Sequence, residues 1–239
     1  MSDNNLKEEF ISTVSHELRT PLTSIRGFSQ TLLNSWDKID EESKKKFIRI
    51  IEEQSNRLIN LVENILAVSK LNADKPIIKA IDVNSSVEKV VQILSEKYKF
   101  HKITTQFNKH LPLVGLDDDK FQQIMTNLID NACKYSEEGK SVVISTSYAD
   151  SDNVLITVQD EGCGIDERDL DKIFEKFVRL ENLLTSKTQG NGLGLYITKN
   201  LVESLKGKIS VKSDSRGTIF YLNFRFYNQE EILKCSQQS

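Results

Sequence analysis

Asp160-Glu-Gly-Cys-Gly-Ile165 and Gly190-Asn-Gly-Leu-Gly-Leu195 together contain five of the ten glycines in this chain. In the first segment a carboxylate ends a strand-like run, and two glycines permit a tight turn. In the second segment the glycines precede a helical pattern, where free backbone N–H groups and the positive helix end can bind phosphate. Ordinary turns would explain either segment alone. A dinucleotide-binding motif is excluded because no GxGxxG opens a βαβ unit.

A third segment, residues 121–135, places polar side chains on one face of a predicted helix. Asn127, Asn131 and Lys134 follow one another at spacings of four and three, so they share a face, while the opposite face is apolar. Two amides and an ammonium beside a glycine loop suit Mg²⁺ and a triphosphate. Solvated residues on a surface helix explain this segment equally well when it is taken alone.

The C-terminal region around these segments alternates between helical and strand patterns. Helices are predicted over 83–98, 120–135 and 191–205, and strands over 141–147, 154–159, 208–212 and 218–226. This arrangement predicts an α+β sandwich with its helices on one face of the sheet.

Two long helices are predicted before this region, over 4–34 and 41–72. Each has apolar residues in steps of three and four, as in a coiled-coil seam, and Ile11 opens the first seam. One hairpin cannot cover its apolar stripe, so we predict an all-α helical hairpin that forms a homodimeric four-helix bundle. A monomeric hairpin packed on the rest of the chain is the alternative. The predicted domains are 1–72 for the hairpin, 73–80 for a linker, 81–230 for the α+β domain and 231–239 for a C-terminal tail.

The first helix contains His16-Glu-Leu-Arg-Thr-Pro21. His16 is about 200° around the helix from both Val14 and Leu18 of the seam, so it is predicted to face solvent. A neutral imidazole is a capable nucleophile near pH 7. An exposed histidine without a chemical role is the usual alternative.

Composition limits the partners and the compartment. The formal net charge is −3 and no basic stripe is present, so no nucleic acid partner is expected. The apolar runs are too short to span a bilayer, and the acidic N-terminus is no signal peptide. Three separated cysteines without a CxxC spacing disfavour a zinc site or a disulfide framework. We therefore expect a cytoplasmic chain, whose parent protein is either cytoplasmic or anchored in a membrane.

In their order along the chain, these segments resemble the conserved boxes of bacterial sensor histidine kinases. Residues 16–21 resemble the phospho-acceptor box, 121–135 the N box, 160–165 the G1 box, 173–177 the F box and 190–195 the G2 box, and Gly217-Thr218 resembles the final glycine motif. The resemblance implies a dimerisation and histidine-phosphotransfer hairpin of the HisKA type. It also implies a Bergerat (GHKL) ATP-binding domain of the HATPase_c type, which uses ATP and Mg²⁺.

The resemblance further implies a role for each matched residue of the ATP-binding domain. Asn127 would coordinate Mg²⁺, Lys134 would meet phosphate, and Asp160 would accept the adenine amino group. The residues implied to bind the nucleotide are Asn127, Asn131, Lys134, Tyr135, Asp160, Gly162, Gly164, Arg179, Gly190, Gly192, Gly194, Leu195 and Thr218.

In the hairpin, the resemblance implies that His16 receives the γ-phosphoryl group and passes it to the receiver domain of a response regulator. Glu17 would accept the Nδ1–H of His16. Thr20 would orient water against the phospho-aspartate of the regulator, which implies phosphatase activity. Fifteen residues precede His16, so the upstream sensor domain is expected to be absent from this chain.

Three other functions fit parts of the pattern. ATP-hydrolysing topoisomerases and mismatch-repair proteins share the implied nucleotide fold, but they use a glutamate where this chain has Gln123. A small anti-sigma-factor serine kinase would lack the hairpin that contains His16. A pseudokinase scaffold remains as the non-enzymatic alternative, although every box needed for ATP is intact.

Overall fold

The computed structural model describes residues 2–71, 75–180 and 190–227. The chain divides into two compact units, one built on a helical hairpin and the other on a β-sheet. The tail predicted over 231–239 lies outside the described residues.

The hairpin consists of α1 (Ser2–Ser35) and α2 (Glu41–Lys70), linked by the short 3-10 turn Trp36–Lys38. Both predicted helices are confirmed. Asp40 precedes α2, and its Oδ1 accepts the N–H of Ser43 at 2.8 Å, which satisfies one of the free donors at this helix end. Leu61 of the predicted seam is 2% exposed, so the seam is the contact between the two helices.

Apolar side chains also lie on the outside of each helix. On α1 they are Ile11, Leu22 and Leu33, and on α2 they are Ile48, Ile59, Val62 and Leu66. We call these two sets the outer stripes. Residues eleven apart return to within about 20° of the same helix face. Ile11, which was predicted to lie in the seam, is 63% exposed in this single hairpin, and it lies about 20° around the helix from both Leu18 of the seam and Leu22 of the outer stripe.

Among the described residues, the second unit contains three α-helices and seven strands. The helices are α3 (Val83–Lys97), α4 (Asp118–Lys134) and α5 (Gly194–Ser204). The strands are β1 (Lys79–Ile81), β2 (Lys102–Phe107), β3 (Val114–Leu116), β4 (Ser141–Tyr148), β5 (Asn153–Asp160), β6 (Lys208–Asp214) and β7 (Gly217–Arg225). Five strands form a mixed sheet in the order β2-β4-β5-β7-β6, and β1 pairs with β3. Only the β2–β4 pair of that larger sheet is parallel.

One face of the larger sheet packs against the helices. Its buried side chains alternate along the central strands and include Val142, Ile144, Val154, Ile156, Val158, Phe220, Leu222 and Phe224. The ring of Phe121 in α4 meets that of Phe224 edge-on, with 5.9 Å between centroids. The predicted α+β sandwich is confirmed.

Three features of this unit differ from the prediction. The sequence analysis did not predict β2, whose residues are half-buried or exposed, or β3, which has only three residues. The end of the predicted linker 73–80 forms part of β1, so these residues belong to the sheet unit. α5 begins at Gly194 rather than at residue 191, because Gly192 has a φ of 68° that no right-handed helix accommodates.

Candidate functional site

A pocket opens in the sheet unit between the C-terminal half of α4, the end of β5 and the start of α5. Its open space of about 670 Å³ includes solvent beyond its mouth. Seven residues predicted to bind nucleotide line it: Asn131, Tyr135, Asp160, Gly164, Arg179, Leu195 and Thr218. The sequence analysis missed the apolar wall, which includes Ile165, Ile173 and Phe220.

Asp160 is the buried carboxylate of this pocket, with 6% of the residue exposed. Its Oδ1 accepts the N–H of Gly162 at 2.8 Å and that of Thr218 at 3.1 Å. Burial raises the pKa of Asp160, and the two N–H groups oppose part of that rise. A Cβ on Gly162 would lie 2.5 Å from the carbonyl oxygen of Tyr135, so only glycine lets this turn approach α4.

Ser213 of β6 connects the first glycine segment to the last hairpin. Its hydroxyl accepts the N–H of Ile165 at 2.8 Å and donates to the carbonyl oxygen of Gly217 at 3.0 Å. It also lies 2.9 Å from Oγ1 of Thr218. This serine was not predicted to be part of the site. It could have been found from its position, because Ser213 lies two residues after Val211 and therefore on the same face of β6. A polar side chain on that face needs hydrogen-bond partners.

Asn127 lies one turn before Asn131 on α4, outside the pocket wall. Its Nδ2 donates to Oγ1 of Thr198 at 2.6 Å, which leaves Oδ1 as the acceptor of this amide. A Cβ on Gly194 would lie 2.6 Å from that Oδ1, so glycine allows the N-terminal end of α5 to approach it. Thr198 was missed by the sequence analysis, although it is a polar residue on the buried face of α5.

Lys134, the last residue of α4, is not among the described residues that line the pocket. Its Nζ forms an ion pair with Oδ2 of Asp130, one helical turn earlier, at 2.5 Å. Lys134, which was predicted to bind phosphate, is therefore paired with Asp130 in this structure, and no role was predicted for Asp130.

The F box and the G2 box meet at Phe177 and Gly192. The N–H of Phe177 donates to the carbonyl oxygen of Gly192 at 2.9 Å, and both residues have positive φ values, 62° and 68°. Gly190 and Gly192 are not among the described pocket-lining residues. Residues 181–189, between the F box and the G2 box, lie outside the described residues.

The hairpin presents His16 and Thr20 on the exposed surface of α1, which confirms the predicted exposure of His16. Oγ1 of Thr20 donates to the carbonyl oxygen of His16 at 3.3 Å. Oε2 of Glu17 accepts a hydrogen bond from Nη2 of Arg57 in α2 at 3.2 Å. The carboxylate predicted to serve Nδ1 of His16 thus has a partner on the second helix.

The fold and these sites define a phospho-acceptor hairpin joined to a nucleotide-binding domain. Family models match both: the His Kinase A (phospho-acceptor) domain over residues 6–74, and the Histidine kinase-, DNA gyrase B-, and HSP90-like ATPase over residues 116–228. The chain belongs to the sensor histidine kinases, of which it contains these two domains.

Curated relatives resemble the chain over nearly its whole length. The sensor protein KdpD of Clostridium acetobutylicum is 35% identical over 221 residues, which cover 91% of this chain and 24% of KdpD. The sensor histidine kinase WalK of Bacillus subtilis is 32% identical over 236 residues, which cover 94% of this chain and 38% of WalK. The chain thus spans well under half the length of these relatives. Among its described residues, no helix combines the length and hydropathy that a bilayer crossing requires.

Solved structures share the architecture. Acinetobacter baumannii histidine kinase AdeS has a TM-score of 0.69 and 27% identity, covering 89% of this chain and 98% of AdeS. Full-length ShkA in complex with AMPPNP has a TM-score of 0.65 and 27% identity, covering 92% of this chain and 46% of ShkA. Histidine kinase ThkA in complex with the response regulator protein TrrA has a TM-score of 0.74 at 21% identity, covering 92% and 61%, and shows the fold alone.

Proposed function

We propose that this chain is an ATP-dependent protein-histidine kinase that phosphorylates itself on His16 and passes the phosphoryl group to an aspartate of a response regulator. One observation supports this most strongly. The same chain contains an exposed histidine in a phospho-acceptor hairpin and a buried carboxylate, Asp160, in a pocket lined by seven residues that the family resemblance implies for nucleotide binding. The activity requires ATP, a cytoplasmic nucleotide, so the cytoplasm is the compartment that we propose for the chain.

Asp160 and the apolar wall are the groups proposed to hold adenine. Oδ1 of Asp160 is occupied by two backbone N–H groups, so Oδ2 is the atom left to accept the adenine amino group. Ile173 and Phe220 offer the apolar surface that a purine ring needs. The AMPPNP in the ShkA structure shows that a relative binds an ATP analogue.

Asn127 is proposed to be the protein ligand of Mg²⁺. Its Oδ1 is a hard oxygen ligand of the type that Mg²⁺ prefers, and Thr198 fixes the orientation of the amide. The described residues contain no group of three His, Cys, Asp or Glu side chains that could hold a metal. This agrees with a cation that takes most of its remaining ligands from phosphate and water. When bound, Mg²⁺ would neutralise charge on the transferred phosphoryl group.

His16 is the proposed nucleophile. A bond forms between its Nε2 and the γ-phosphorus of ATP, the bond from that phosphorus to the β,γ-bridging oxygen breaks, and ADP leaves. The ring becomes cationic, and Glu17, the adjacent carboxylate, would compensate that charge or accept the Nδ1 proton. Because Glu17 bonds Arg57 through Oε2, its Oε1 is the oxygen proposed for this role.

Incubation with radiolabelled ATP and Mg²⁺ tests this function. Wild-type protein is expected to gain an acid-labile, base-stable label, and His16→Gln is expected to lose it. His110→Gln is the matched control, because His110 is also exposed and its described hydrogen bonds involve only backbone atoms. A label that persists in His16→Gln would show that another residue is the acceptor, and no label on folded wild-type protein would favour a scaffold.

Thr20 is proposed to support dephosphorylation of the regulator. Its hydroxyl is exposed one turn after His16, where a phosphorylated receiver domain could approach it. Thr20→Ala is expected to slow dephosphorylation of the cognate phospho-regulator while autophosphorylation continues at a similar rate. Equal dephosphorylation rates with wild type and Thr20→Ala would refute this part of the proposal.

The two outer stripes support a homodimer. They expose large apolar side chains on both helices, and a four-helix bundle formed with a second hairpin would cover them. The phospho-acceptor family match supports the same assembly.

A further inference from the structure

Asp130 of α4 lies at the centre of a four-residue cluster outside the pocket wall. Its Oδ1 accepts hydrogen bonds from Nζ of Lys97 and from the hydroxyl of Tyr98, both at 2.7 Å. Its Oδ2 forms the ion pair with Nζ of Lys134. Lys97 and Tyr98 lie at the end of α3, so the two helices share one carboxylate. We call these four residues the Asp130 cluster.

The Asp130 cluster holds an ionised carboxylate next to the ammonium of Lys134. Burial raises the pKa of Asp130, but the Lys134 ammonium and the donors from Lys97 and Tyr98 outweigh burial and lower it overall. Asp130 is therefore ionised at neutral pH, with a side chain that is 15% exposed, whereas that of Lys134 is 33% exposed. An ammonium at this position is attracted to any nearby anion in competition with Asp130.

The donors from α3 allow Lys134 to leave Asp130 at low cost. A buried carboxylate that loses its sole partner is strongly destabilised. Asp130 would keep two hydrogen bonds to Oδ1, one of them charge-assisted, if Lys134 moved away. Lys134 follows the pocket residue Asn131 by three positions on α4, and its long flexible side chain can change direction by rotation alone.

We propose that Asp130 sets the nucleotide affinity of this chain by competing with the phosphates of ATP for the ammonium of Lys134. In this scheme ATP binding exchanges one ion pair for another, and the strength of the Asp130–Lys134 pair is subtracted from the binding energy. The inference rests on the proposed function, since it needs ATP in the pocket. It assigns to Asp130 a role that acts through Lys134 and not by contact with the nucleotide.

A double-mutant cycle tests the competition. Asp130→Asn, Lys134→Met and the double variant are titrated calorimetrically with ATP and Mg²⁺, and separately with adenosine, which has no phosphate. Asp130→Asn is expected to bind ATP about fivefold more tightly than wild type, the value of one modest ion pair. In the Lys134→Met background the same change is expected to have no effect. Adenosine is expected to bind all four proteins with equal affinity.

A second variant tests for a change of ATP affinity in the opposite direction, and it leaves the carboxylate of Asp130 unaltered. Lys97→Met removes a competing donor from Asp130, so the carboxylate should hold Lys134 more firmly and ATP should bind about twofold more weakly. The Lys97 side chain is 57% exposed, so folding should tolerate the change. Lys89→Met is the control, because this ammonium is similarly exposed and pairs with Asp118 instead.

Several results would overturn the proposal. A fall in ATP affinity in Asp130→Asn would show that Asp130 orients Lys134 towards ATP and does not compete with ATP for it. Equal changes for ATP and adenosine would show a structural role, and an effect that survives in Lys134→Met would exclude action through Lys134. If Asp130→Asn does not fold, unchanged ATP affinity in Lys97→Met refutes the competition. A folded wild-type protein that binds no ATP would instead refute the proposed function itself.

Discussion

Replacement of Asp160 by asparagine removes one negative charge from the pocket and exchanges one oxygen for an NH₂ group. The orientation of the new amide follows from the structure. The N–H groups of Gly162 and Thr218 both point at Oδ1, so the amide oxygen must take that position and the NH₂ group must replace Oδ2. A donor would then face the amino group of adenine, which is also a donor.

The expected loss of affinity is large, whereas the expected loss of stability is not. A hydrogen bond to a charged group contributes about 1.5 to 3 kcal/mol, so ATP affinity should fall about 10- to 150-fold. The fold keeps both backbone hydrogen bonds to Oδ1 and no longer buries a charge at a residue that is 6% exposed. The Tm of Asp160→Asn should therefore equal or exceed that of wild type.

Calorimetric titration with ATP and with inosine triphosphate measures this effect directly. Inosine has a carbonyl oxygen where adenine has the amino group, so the asparagine NH₂ should favour it. The ratio of ATP affinity to inosine triphosphate affinity should consequently fall in Asp160→Asn. Asp171→Asn is the matched control, because Asp171 is exposed and makes no capping hydrogen bond.

Two outcomes would refute the reasoning about Asp160. Unchanged ATP affinity would mean that the carboxylate does not contact adenine. An equal loss of affinity for both nucleotides would mean that the substitution distorts the pocket, a result that a lowered Tm would accompany.

Three further predictions concern the pocket and the hairpin. Burial raises the pKa of Asp160, and binding of the adenine amino group favours the ionised carboxylate. ATP affinity should therefore fall as the pH is lowered through that raised pKa. The ATP affinity of Asp160→Asn should not show this step. Gly194→Ala should weaken Mg²⁺-dependent ATP binding at least tenfold, because the new Cβ would lie 2.6 Å from Oδ1 of Asn127. In the control variant Gly27→Ala the new Cβ has no atom within 4 Å, so this change within a helix should raise the free energy of unfolding by about 0.5 to 1 kcal/mol. Ile59→Glu places a charge on the outer stripe and should shift light-scattering mass from dimer to monomer, while Asn60→Glu on the neighbouring exposed position should not.

Features that depend on a single helix or strand could be predicted from the sequence pattern of that element. The exposure of His16 follows from helical period alone, since an angle of about 200° from the seam leaves no neighbour to cover it. Asp160 could be placed at the end of a strand because the alternation of β5 ends there. The two glycines of the first segment indicated a tight turn, although their pattern did not show that Gly162 approaches the carbonyl oxygen of Tyr135.

Contacts between distant segments could not be predicted in this way. Glu17 and Arg57 are 40 positions apart, and their pairing depends on the relative rotation of two helices, which seam spacing does not define to the accuracy of a hydrogen bond. Asn127 bonds to Thr198 because α5 packs close to α4 at this point, which neither helix pattern predicts. The position of Lys134 likewise depends on Asp130, whose own partners come from α3.

The hydrogen bond between Phe177 and Gly192 has a consequence for variation in length. It joins the chain on either side of the intervening segment, so the base of that segment is anchored to the domain whatever number of residues it contains. The entropic cost of holding two points of a chain together grows slowly with the number of residues between them, by about 0.6 kcal/mol for each doubling. A change in the number of residues between Leu180 and Gly190 should therefore leave the contact of Phe177 with Gly192 and the pocket residues Val178, Arg179 and Leu180 in place, which makes positions 181–189 suitable for a reporter peptide.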